Sequence, residues 1–132
     1  MKKVVLFVLL AILLVSCNQT KEEPISKAEE IIYQTISPKE AKEQLDADEA
    51  ILLLDVRTKE EYDSGHIVGA ELLTLDFIED EAETLYTDKE QIIYVYCRSG
   101  NRSKTATKLL NDLGYKNVYD LGGIMNWPYE TE

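Results

Sequence analysis

Ile92-Ile93-Tyr94-Val95-Tyr96-Cys97-Arg98-Ser99-Gly100-Asn101-Arg102-Ser103 decides how this chain folds. The β-branched and aromatic run predicts a buried strand over Gln91 to Tyr96, and the pattern after it predicts an amphipathic helix starting near Ser103. A cysteine on the turn between them lies against backbone N–H groups and the positive end of a helix dipole. Both favour the thiolate, which is the nucleophilic form. Arg98 and Arg102 add two fixed positive charges. The stretch predicts a cationic cradle in which sulfur attacks an anion.

The strand–helix pattern repeats on both sides. Ile31 to Ile36 is expected as a short strand. Ser37-Pro38-Lys39-Glu40 then carries cap, proline and N3 glutamate in the preferred order and starts a helix to about Leu45. Ala50 to Val56 includes the continuous apolar run of a strand buried on both faces. Thr58-Lys59-Glu60-Glu61 repeats the capping pattern for a short helix ending before Gly65. Leu72 to Leu75 is expected as a strand and Asp76 to Tyr86 as an acidic, solvated helix. Ala106, Leu109, Leu110 and Leu113 fall on one helix face, Gly114 ends that helix, and Asn117 to Tyr119 forms a last strand before Leu121-Gly122-Gly123. Alternation of this kind predicts an α/β domain, a mainly parallel central sheet flanked by helices on both faces. Working sites in such sheets lie at the carboxyl ends of the strands, where Cys97 stands.

The N-terminus reads differently. After Met1-Lys2-Lys3, the twelve residues Val4 to Val15 carry no polar side chain. That is short for a spanning helix but suits a secretory signal. Leu14-Val15-Ser16-Cys17 looks like a bacterial lipoprotein signal, which predicts a signal peptide over 1–16, a lipidated Cys17 with a polar tether over 17–30, and a domain over 31–132. The expected location is the cell envelope, lipid-anchored to a bacterial membrane and facing the periplasm or cell exterior. Without residues 1–16 the chain has 12 basic and 25 acidic residues, a net charge of −13. That balance argues against nucleic acid as a partner. The 116 remaining residues suffice for one domain, expected as a monomer. With Cys17 lipidated, Cys97 has no partner for an internal disulfide.

Three motifs together resemble single-domain rhodaneses: Leu54-Asp55-Val56-Arg57 with Glu61-Tyr62 and Gly65-His66-Ile67-Val68-Gly69-Ala70; the loop Cys97 to Arg102; and Leu121-Gly122-Gly123-Ile124 with Trp127. The resemblance runs from about Tyr33 to Trp127. It implies a rhodanese-like fold and a sulfurtransferase without cofactor or metal. Cys97 would take the outer sulfur of a donor such as thiosulfate as a persulfide and pass it to cyanide or a thiol. Arg98, Ser99, Gly100, Asn101, Arg102 and Ser103 would bind substrate. Loop N–H groups can form a nest for the anion, and Arg98 and Arg102 can hold the donor's oxygens, with Arg102 the stronger choice.

Two other readings compete. Cysteine phosphatases and arsenate reductases resemble this pattern but use Cys-x₅-Arg, whereas Arg102 stands at Cys-x₄-Arg. A non-catalytic binding or redox module needs no nucleophile of this kind, and no Cys-x-x-Cys pair is present. Asp55 and Arg57 read as supporting residues, with Arg57 paired to Asp55 or Glu61. His66 reads as a turn residue with its ring on backbone, and Gly100 as a provider of unusual φ. Gly122 and Gly123 are expected to permit close backbone approach, Ser103 to donate to the persulfide or cap the helix, and Trp127, Tyr94 and Tyr96 to fill the core.

Overall fold

The computed structural model describes residues 33–132; the expected signal peptide, the lipidation site Cys17 and the tether lie outside the described residues. Five strands form one sheet: β1 (Gln34–Thr35), β2 (Leu52–Asp55), β3 (Glu71–Leu72), β4 (Ile92–Cys97) and β5 (Asn117–Gly123). Their order is β1-β5-β4-β2-β3, and every pairing is parallel. Four α-helices connect them: α1 (Pro38–Ala47), α2 (Lys59–Asp63), α3 (Ile78–Leu85) and α4 (Asn101–Asp112).

The central strands alternate their side chains between two cores. On one face Leu52, Leu54, Ile93, Val95 and Cys97 pack with Ile78 and Ala82 of α3 and Ala106 and Leu110 of α4. On the other, Leu53, Tyr94 and Tyr96 pack with Ala41 of α1, Ile67 and Leu121, and Trp127 leans on the cluster from outside. β2 is buried throughout and β4 at every residue after Ile92, which is why they read as apolar runs.

Both capping boxes form. The Ser37 hydroxyl accepts from Glu40 N–H and the Thr58 hydroxyl from Glu61 N–H, while each glutamate reaches back to its cap. Gly114 follows α4 at φ 94° and ends it. Among the boundaries that differ from the sequence reading, four stand out. Of the expected first strand only Gln34–Thr35 pairs within the described residues. The strand expected over Leu72 to Leu75 is instead Glu71–Leu72, and a 3₁₀ turn, Leu75–Phe77, starts the acidic segment before α3. β5 runs on through Gly123, because a register shift opposite Val95 and Tyr96 lets pairing continue past Asp120. α4 begins at Asn101 rather than Ser103.

Candidate active site at the end of β4

β4 delivers Cys97 to the carboxyl end of the sheet, level with Gly123 of β5. The chain turns at Gly100, which sits at φ 105° and caps α4 with no side-chain bond. That left-handed backbone is one a side chain with Cβ strains to adopt, as the sequence required of this glycine. Ser103, expected as the cap, lies inside the first turn of α4, fully buried. Its hydroxyl donates to the Gly100 carbonyl at 3.0 Å and reaches the Gly122 carbonyl at 3.3 Å, tying the loop to β5.

Cys97 is 1% exposed and forms the floor of the cradle. The Gly100 N–H donates to its Sγ at 3.0 Å. Burial pushes the thiol up, but hydrogen bonding from Ser103 and from the N–H groups of Gly100 and Ser99 outweighs it, and the net displacement is downward.

The two arginines differ. Arg98 is exposed, and its guanidinium has no hydrogen bond or ion pair among the described residues. Arg102 grips Glu61 with both outer nitrogens, Nη1 to Oε2 at 2.7 Å and Nη2 to Oε1 at 2.9 Å. Of the two arginines expected to hold the donor, Arg98 thus faces solvent and Arg102 is paired with a carboxylate. Ser99 and Asn101 are exposed on the rim.

Asp55 ends β2, and Arg57 follows two residues later. Asp55 is fully buried and accepts from Arg57 N–H and Nε, and from Nη2 at 2.6 Å. Arg57 also donates to the Gly65 carbonyl at 2.7 Å. Of the two partners expected for Arg57, Asp55 is the one found. Tyr96 is more than packing: its hydroxyl donates to Asp55 at 2.8 Å and accepts from the Ile67 N–H at 3.1 Å. Tyr94 likewise fills the core while its hydroxyl bonds Gln44. His66 stacks on Tyr62 with centroids 3.8 Å apart, and its Nδ1 meets the Tyr62 carbonyl at 3.0 Å, a turn residue as expected.

The glycines of β5 divide their work. A Cβ on Gly123 would stand 2.3 Å from the Arg98 carbonyl oxygen, so this position admits only glycine. Gly122 meets no such contact but adopts φ 89°.

Residues 37–129 match the family of the Rhodanese-like domain. The chain belongs to the rhodanese-like family. Among its relatives in that family, "Putative sulfurtransferase YtwF" of Bacillus subtilis is 41% identical over 97 residues, covering 74% of this chain and 92% of that one. Thiosulfate sulfurtransferase PspE of Escherichia coli is 34% identical over 71 residues, covering 54% and 68%. Of some longer relatives the chain covers about half the length or less. The crystal structure of Alr3790 from Anabaena aligns with a TM-score of 0.68 at 29% identity, over 74% of this chain and 90% of that one. The fold is thus the rhodanese fold, and its sulfurtransferase relatives support sulfur transfer as the general activity.

Proposed function

We propose that this rhodanese-like protein moves a sulfane sulfur through a persulfide on Cys97. The observation that carries the reading is the Cys97 Sγ on the cradle floor, 3.0 Å from the Gly100 N–H at the start of α4. Amides aimed at this point stabilise the negative charge of a thiolate and then of a persulfide, and the α4 dipole adds to them.

With thiosulfate, the Cys97 thiolate attacks the outer sulfur. An S–S bond forms to Cys97, the donor's S–S bond breaks, and sulfite leaves with the electron pair. The enzyme then holds Cys97–S–S⁻. Cyanide, or a thiolate, attacks the outer sulfur of that persulfide, giving thiocyanate or a new persulfide and restoring the Cys97 thiolate. Charge balances in both halves and no proton transfer is required. Arg98, free on the rim, meets the donor's oxygens first. Ser99, Gly100 and Ser103 line the bound sulfur through their N–H groups, Asn101 and Arg102 complete the mouth, and Asp55 with Arg57 fixes the β2 end beside it. The name of PspE supports thiosulfate as the donor class.

The N-terminal reading extends this proposal. Residues 1–16 act as a signal peptide and Cys17 carries lipid, placing the enzyme on the outer side of a bacterial membrane, anchored through acyl chains and acting as a monomer. Metabolic labelling with a palmitate analogue tests the anchor, with label expected on the native chain and lost in Cys17→Ala.

Thiosulfate:cyanide transfer assayed beside phosphate-ester hydrolysis tests the activity. Thiocyanate formation that disappears in Cys97→Ser is expected. Ester hydrolysis without sulfur transfer would overturn the reading.

A further inference from the structure

The Glu61 carboxylate is joined to two machines at once. Within α2 it closes the capping box, accepting from Thr58 N–H at 3.0 Å and from the Thr58 hydroxyl at 3.1 Å. Across 41 residues of sequence it takes both outer nitrogens of Arg102. Arg102 sits on the first turn of α4, five positions after Cys97, and feels the charge of Cys97 as well as that of Asp55. An arginine there offers its paired N–H groups to the oxygens of an anionic donor, but in this protein a resident carboxylate already fills them. The pair is about one-third exposed on both sides, so solvent reaches it and exchange is possible.

From this arrangement we infer that Glu61 sets donor specificity: its carboxylate occupies the Arg102 guanidinium, and an anionic sulfur donor must compete with it. The inference rests on the persulfide reading of Cys97. Glu61 is a positioning residue, acting through Arg102 without touching sulfur. Anionic donors meet one free guanidinium, Arg98, and one occupied guanidinium. The handicap falls on the donor half-reaction alone, since the attacking thiolate brings no oxyanion oxygens to pair with a second guanidinium.

Glu61→Gln separates the two roles. Glutamine at N3 serves a capping box as glutamate does, so α2 is kept while the carboxylate charge is removed. In steady-state transfer from thiosulfate to dithiothreitol, this variant is expected to lower the KM for thiosulfate about fivefold, the scale of a partly exposed ion pair. The kcat/KM for dithiothreitol is expected to stay within error. An unchanged or higher thiosulfate KM would overturn the inference, and so would equal changes in both half-reactions, the mark of a loosened loop. Calorimetric titration of thiosulfate into Cys97→Ser, with and without Glu61→Gln, reads the competition without turnover. Tighter binding with glutamine upholds the Glu61 role even if the native protein transfers no sulfur, and equal binding overturns it even if transfer proceeds.

Discussion

The Gly123 α-carbon lies so close to the Arg98 carbonyl that a single added methyl would stand 2.3 Å from its oxygen and 2.8 Å from the Ser99 Cα. Both obstacles are backbone, so no rotamer change relieves them. The loop that holds Cys97 is thus pressed against the end of β5, where Cys97 and Gly123 stand in register, and Met125 N–H donates to the same Arg98 carbonyl at 3.3 Å.

Gly123→Ala is therefore expected to push residues 98–99 away from β5 and to destabilise the domain by about 1–3 kcal/mol, the usual scale of overpacking. Urea unfolding measures the loss. Sulfur transfer should fall by more than stability does, because the amides that face Sγ belong to the displaced loop.

Asp55 and Arg57 make a buried ion pair whose members are 0% and 6% exposed at the side chain. Asp55→Ala strands the guanidinium with the Gly65 carbonyl as its remaining acceptor and removes the acceptor of the Tyr96 hydroxyl. A loss of about 3–5 kcal/mol in urea unfolding is expected, as for other buried pairs deprived of one member.

Glu61 is held at a pKa of about 2, chiefly by its hydrogen bond from Arg102 and against the opposing effect of burial. In the unfolded chain a glutamate titrates near its ordinary 4.5. A carboxylate depressed by folding contributes stability that is fully present above the unfolded value and is lost as pH falls toward the folded one. Native protein should lose stability between pH about 4.5 and 2, and Glu61→Gln should flatten that stretch of the curve. Thermal melts across this range, at low salt, check the difference.

Most of the architecture is legible in local pattern. The continuous apolar runs of β2 and β4, the two capping boxes and the Ala106–Leu113 stripe each depend on residues close in sequence. Boundaries went astray where backbone alone decides. α4 starts two residues earlier than Ser103 suggests because Gly100 caps it through left-handed backbone, with no side-chain signature. β5 runs long because a shift in pairing, invisible along one strand, carries it past Asp120. The site divides in the same way. The cysteine, its loop and the need for small residues in β5 are written in short motifs. The Glu61–Arg102 pair spans 41 positions, and in sequence Glu61 reads as the N3 residue of its cap and as one of two partners for Arg57, so nothing marks it as the partner that occupies Arg102. Tyr96 reads as packing for a similar reason, since its hydroxyl finds Asp55 and Ile67 only once β2 and the 65–70 turn are brought beside β4.

In the proposed reaction Cys97 carries the sulfur. Native protein treated with thiosulfate, freed of excess donor and examined intact and by peptide mass spectrometry under non-reducing conditions, should gain one sulfur atom on the peptide containing Cys97 and lose it on addition of cyanide. A chain that stays unmodified at Cys97 under these conditions, while folded, would contradict the account.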